Sequence, residues 1–170
     1  MSVTTMEQER YCVFSASGGR FGLPALSLKQ VAPRPLITPV PASHPVLLGL
    51  AHVRNEFLPA FSLRTITEFE EQSRDTENQL LVINSVNGSW GLLIDRTIAV
   101  TPLETSFSSL ERRGDRWSQV MTGAASYREH VVQILEPTAL LQFLVSKLNE
   151  GWDFTSEHTS PEEMVEAGKQ

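Results

Sequence analysis

Two stretches of this chain repeat each other in the same order, and a repeat constrains architecture before any local propensity is weighed. Residues 13–23 lie over residues 82–92 at a constant offset of 69. In both copies a turn glycine (Gly19, Gly88) is followed by a polar residue, an aromatic (Phe21, Trp90), a second glycine (Gly22, Gly91) and a leucine (Leu23, Leu92). Apolar run, glycine turn, apolar run is the pattern of a β-hairpin, and Asn87-Gly88 is the stronger turn signal of the two. A second pair follows at an offset of 74, where Gly49 leads to Arg54 and then Phe57-Leu58, and Gly123 leads to Arg128 and then Val131-Val132. Two matches in the same order point to duplication. The chain is expected to be all-β, with halves at about 10–66 and 79–137 that share one plan: hairpin, variable middle, glycine-arginine turn, final strand.

The segments between these landmarks are punctuated by composition. Five of the ten prolines (Pro33, Pro35, Pro39, Pro41, Pro45) lie between the first hairpin and Gly49. Proline lacks the ladder donor, so this stretch is an extended edge or a loop and cannot be a central strand. Residues 68–78 are polar and read as the connection between halves, and residues 102–115 read as a long irregular loop. After Pro137 the period changes: Leu140, Leu141, Leu144 and Leu148 fall at helical spacing and predict an amphipathic helix over 138–148 that closes the core. Residues 150–170 carry six acids against Lys169, so they hold most of the net charge of −6 and read as an acidic, flexible tail. Within it, Ser160 and Glu163 are spaced as a capping box for a short helix.

The same inventory argues against catalysis and against several ligand classes. Cys12 is the only cysteine and sits in an apolar run, which predicts a buried strand residue and a reducing compartment. The four histidines (His44, His52, His130, His158) form no pair at the spacing of a helical zinc site. There is no phosphate-binding loop, nucleophile elbow or dinucleotide fingerprint. These observations predict no cofactor, no metal and no enzyme activity. No basic stripe suits nucleic acid, and no run approaches the ~20 apolar residues of a membrane span. The start of the chain holds Glu7 and Glu9 and no apolar run, unlike a signal peptide, so a cytoplasmic location is expected.

The run from Leu48 through Arg64 resembles the signature of the CheW-like coupling proteins: a glycine, a short apolar stretch, Asn-Leu-Arg-Gly, then an apolar-proline strand ending in Asp-Leu-Arg. Residues 91–95 (Gly-Leu-Leu-Ile-Asp) resemble that family's Gly-Leu-(apolar)-Val-Asp strand, and the resemblance covers about residues 10–146. It implies two SH3-like five-stranded barrels side by side with a C-terminal helix, the whole domain spanning 10–149. It also implies a non-catalytic adaptor that joins the cytoplasmic tip of a chemoreceptor to the regulatory domain of a CheA-type histidine kinase. The receptor helix would dock in the groove between barrels, against Leu28, Val31, Arg54 and Asn55, with the kinase on a separate, unassigned surface. Two positions depart from the family pattern: Asn55 replaces a glycine and Ser62 replaces an aspartate. Asn tolerates positive φ, so the turn survives the first change, whereas the second removes a carboxylate placed to order the turn arginine. His52 reads as a turn residue, and Asp95 as a strand-end carboxylate that caps or pairs with a cation. The competing reading is a stand-alone peptide-binding or self-associating β-barrel module, which would show no affinity for a kinase regulatory domain.

Overall fold

The structure, a computed structural model, describes residues 8–66, 77–106 and 116–156, with residue 65 and residues 151–156 described as backbone only. Most of the expected connection at 68–78, the expected loop beyond Ser106 and the expected cap at Ser160 lie outside the described residues.

Twelve strands and one helix follow in order: β1 (Arg10–Ala16), β2 (Gly19–Pro24), β3 (Leu28–Pro33), β4 (Ile37–Thr38), β5 (Leu47–Val53), β6 (Glu56–Ser62), β7 (Gln79–Ser85), β8 (Gly88–Ile94), β9 (Arg96–Pro102), β10 (Thr105–Ser106), β11 (Met121–Tyr127), β12 (His130–Leu135) and α1 (Pro137–Ser156). They form two six-stranded sheets, ordered β10-β11-β12-β2-β1-β9 and β4-β5-β6-β8-β7-β3. Adding six to β3–β6 and subtracting six from β7 and β8 turns one sheet order into the other, so the duplication read from the sequence extends to every strand. The two edge strands of each sheet are consecutive in the chain (β3 and β4; β9 and β10). Their short links force each sheet to curl, giving two SH3-like subdomains.

The halves 10–66 and 79–137 do not coincide with the two sheets, and here the expectation is corrected. Hairpin β1–β2 joins the sheet otherwise built by β9–β12, and hairpin β7–β8 joins the sheet built by β3–β6. The physical reason lies in the hairpins' composition. Their strands are apolar on both faces, so each must be covered twice. In β1, Cys12, Phe14 and Ala16 face a core shared between the sheets, while Tyr11 and Val13 face a cluster with Val132 and Ile134 inside the first sheet. In β7, Leu81 and Ile83 face the shared core, while Leu80 and Val82 pack with Leu58 and Ala60 inside the second. Exchange of hairpins supplies both covers.

Each exchanged hairpin is joined by a parallel seam, β12 to β2 and β6 to β8. A Cβ on Gly22 would sit 2.9 Å from Ile134 Cδ1, and one on Gly91 would sit 2.8 Å from Leu80 Cδ1. These atoms are the ends of flexible side chains, Ile134 across the β12–β2 seam and Leu80 within the β7–β8 hairpin, so the second glycine of each repeat eases the packing inside its sheet. The turn glycine differs between the copies. Ser17 and Gly18 take positive φ (51° and 78°) in the first hairpin, whereas Gly88, at φ 121°, does so in the second.

Helix α1 starts one residue before the expected 138–148 and runs on to Ser156, so residues 150–156, expected as flexible tail, continue it. Glu136 caps it: its carboxylate accepts hydrogen bonds from the backbone N–H groups of Thr138 (3.2 Å) and Ala139. Leu140 and Leu144 are fully buried in the shared core, and Phe143 meets Trp117 edge-on with ring centroids 5.4 Å apart.

Candidate protein interface

Arg54 and Asn55 are the two central residues of the turn joining β5 to β6, at φ 44° and 65°. Positive φ at both centres is the type I′ pattern, whose twist matches that of the flanking strands. Asparagine suits this region, which is how the turn survives without the family's glycine. The counterpart turn is Arg128-Glu129, at φ 46° and 66°. Both residues of the first turn are exposed.

The structure separates the other two expected contact residues. Leu28 lies opposite Ile83 and packs against the shared core, whereas Val31 lies opposite Leu81 and is 43% exposed. The two differ in exposure: Leu28 is half-buried against the shared core, and Val31 is open to solvent. Strand β3 is nonetheless tied to the turn, because Lys29 Nζ reaches Glu56 Oε2 at 3.3 Å. The bridge links the start of β3 to the start of β6, next to the Arg54-Asn55 turn.

An exposed aromatic patch on the same hairpin was not anticipated. His52 belongs to β5 and not to a turn; it lies opposite Phe57 on β6, and the two rings stack with centroids 4.7 Å apart. Phe57 is 68% exposed, and Leu50 on the same face is 40% exposed. The sequence signal was present: Phe57 occupies an outward register of a strand whose inward residues, Leu58 and Ala60, are buried.

The CheW-like domain pattern matches residues 10–144. This chain belongs to the CheW-like family. Among solved structures, the scaffolding protein TtCheW from Thermoanaerobacter tengcongensis shares the fold, at a TM-score of 0.67 and 16% identity, over 80% of this chain and 89% of that one. No curated protein sequence matches the chain.

In this CheW-like chain the two departures from the family pattern are accommodated differently. Asn55 fills a turn; Ser62 joins a buried network. The Ser62 hydroxyl donates to Glu77 Oε1 (2.8 Å) and accepts from the backbone N–H of Arg64 (3.3 Å). Arg64 Nε pairs with the same Glu77 oxygen at 2.9 Å and its guanidinium reaches Asp95 at 4.0 Å, which makes Asp95 a cation partner as expected. Arg34 donates to the backbone carbonyl of Glu77 (3.2 Å). The missing aspartate is thus replaced by Glu77, and the arginine it orders is Arg64, not Arg54. Burial pushes the Glu77 carboxyl above its ordinary 4.5; the Ser62 hydrogen bond and Arg64 pull it down, Asp95 pushes it up, and Arg34 pulls it down.

Cys12 is fully buried, and burial raises its thiol to about 11, so it stays protonated and structural. Among the described residues no group of three His, Cys, Asp or Glu side chains is placed to hold a metal ion, and no helix is long and apolar enough to cross a membrane.

Proposed function

We propose that this chain is a non-catalytic cytoplasmic adaptor of chemosensory signalling that couples a chemoreceptor-type sensor to a CheA-type histidine kinase. Membership of the CheW-like family supports a scaffold role in general. The receptor side is supported by exposure: Val31 on β3 is 43% exposed and Arg54 and Asn55 are exposed in the β5–β6 turn, with an ion pair, Lys29–Glu56, joining β3 to β6. A helical hairpin tip laid along this edge would find an apolar contact at Val31 and a guanidinium able to donate to carbonyls or carboxylates. Leu28 holds β3 in place from the core side. The kinase regulatory domain is assigned to the outward face of β5 and β6, where Leu50, His52 and Phe57 expose apolar and aromatic surface of the kind enriched at interface centres.

The test is a pair of variants. Arg54→Ala is expected to fold normally, bind receptor at least tenfold more weakly and keep kinase affinity; Phe57→Ser is expected to do the reverse. Titrating each purified variant with receptor tip peptide and with kinase regulatory domain reads both. Unchanged receptor affinity in Arg54→Ala would reduce that residue to a turn former. Absence of any kinase affinity in the wild type would favour the stand-alone binding module.

A further inference from the structure

We infer that the open end of the first sheet is a binding site for a small ligand carrying phosphate groups. A cavity of about 330 Å³ opens there, lined by Arg20, Arg96, Thr97, Ile98, Arg128 and His130. Its chemistry follows from register. Arg20 on β2 and Arg96 on β9 both lie directly opposite Ser15 of β1, one on each side, so all three point to the same face. That is the concave face, because Tyr11 and Val13 on the same side of β1 belong to the cluster inside this sheet. On β12, Val132 and Ile134 face this interior, and alternation brings His130 to it at the strand's first residue. Arg128 enters from the adjacent turn. Two strand spacings separate Arg20 from Arg96, about 10 Å, which leaves a phosphate-sized gap between guanidiniums.

Four basic side chains from four elements thus rim one mouth of a chain whose net charge is −6. No acid lines the cavity; Glu129, beside Arg128 in sequence, is not part of its wall. Among the described residues none of the four makes a side-chain hydrogen bond or an ion pair, and Arg128 lies over the Tyr127 ring at 5.3 Å. Three convergent guanidiniums with no anionic partner raise the local potential and concentrate anions, and planar guanidiniums match phosphate oxygens two at a time. Barrel mouths are recurrent ligand sites, and the volume exceeds what a single phosphate needs.

The other sheet shows that the fold does not demand this arrangement. By the repeat offsets, Ser89 stands for Arg20, Ser27 for Arg96, Lys29 for Ile98, Arg54 for Arg128 and Glu56 for His130. There the cation Lys29 is neutralised by Glu56 at 3.3 Å. The mouth of the first sheet has His130 in place of that acid and carries Arg20 and Arg96 where the other sheet has serines.

Pyrophosphate titrated into full-length ¹⁵N-labelled protein at constant ionic strength tests the inference, with inorganic phosphate, ADP and citrate as parallel arms. Saturable amide shifts confined to residues near 15, 20, 96–98 and 127–130 are expected, with citrate at least tenfold weaker. Binding by ADP as tight as pyrophosphate would identify a nucleotide as the source, and tighter pyrophosphate an inorganic one. Replacing both arginines by their counterparts, Arg20→Ser with Arg96→Ser, is expected to weaken pyrophosphate at least tenfold while the spectrum elsewhere is unchanged. Non-saturable shifts, shifts spread equally over Lys29 and Arg54, or citrate binding equal to pyrophosphate would overturn it. Should the double variant misfold, the shift map of the wild type alone decides.

Discussion

The two subdomains are built on one plan, and the positions at which they agree differ in kind from those at which they diverge. They agree where geometry is tight: Gly22 and Gly91 at the parallel seams, the positive-φ turns at residues 54–55 and 128–129, and the bulges where β9 crosses β1 and β3 crosses β7. They agree also at a hydrogen bond, Ser62 N–H to the Val46 carbonyl in one and Glu136 N–H to the Val120 carbonyl in the other. They diverge just after that bond in the chain, and on their outward faces. Glu136 caps a helix running to Ser156, while Ser62 caps a single 3₁₀ turn and enters the Glu77–Arg64 network. The outward face of β5–β6 carries Leu50, His52 and Phe57, where β11–β12 carries Ala124, Ser126 and Val131. Positions held in common specify the fold, and the differences fall at the caps and on the outward faces.

Separating the halves should disturb the molecule most. Because each sheet takes a hairpin from the other half, residues 1–72 expressed alone lack β7–β8 and the partners of β1–β2. This fragment is expected to show no cooperative unfolding transition, and mixing it with residues 73–170 should restore one. Independent, well-dispersed amide spectra from each half would show that the exchange is dispensable.

A smaller effect is expected from Glu77, which serves only the first-half cap. Glu77→Ala removes the acceptor of the buried Ser62 hydroxyl and one of the carboxylates paired with Arg64, and a loss of about 1–3 kcal/mol in denaturant unfolding is expected. The pH dependence has the opposite sense to that of an ordinary ion pair. Burial raises the folded pKa of Glu77, so the folded state holds a proton more tightly than the unfolded chain. Its contribution is most favourable below the ordinary 4.5 and declines as pH rises through the raised value. Stability of the wild type relative to Glu77→Gln should therefore fall as pH rises through that interval. A rise would mean that the Arg64 and Ser62 contacts outweigh burial.

The smallest expected effect distinguishes the two hairpin turns. Ser17 takes positive φ and its buried hydroxyl has no hydrogen-bond partner among the described residues, whereas the matching Val86 does not adopt positive φ. Ser17→Gly should stabilise the protein by about 0.5–1 kcal/mol, a rise of about 1–4 °C in Tm. Val86→Gly, at an exposed turn position without that strain, should bring no gain. Equal responses would show that the turns are energetically alike.

The chain order by itself determined the duplication, the hairpins, the arginine turns and the closing leucine stripe, because each is local: a turn, a period of two, a period of 3.6. Arg54 and Asn55 were legible for the same reason, since a glycine-to-arginine spacing repeated at a fixed offset marks a turn. Leu28 and Val31 were legible as a strand but not by face, because the irregular register between Leu28 and Gln30 resets which side each residue takes. Glu77 was hidden in a polar stretch that reads as linker, and its burial depends on Ser62 and Arg64 arriving from β6 and the turn after it. Arg20, Arg96, Arg128 and His130 are scattered over more than a hundred positions, and singly each reads as a surface residue. Apolar runs announce that both faces of β1 and β7 are covered without naming the cover. Only tertiary packing decided that the hairpins exchange, since strand partners distant in sequence are selected by which surfaces remain to be buried, and the basic mouth is a consequence of that exchange.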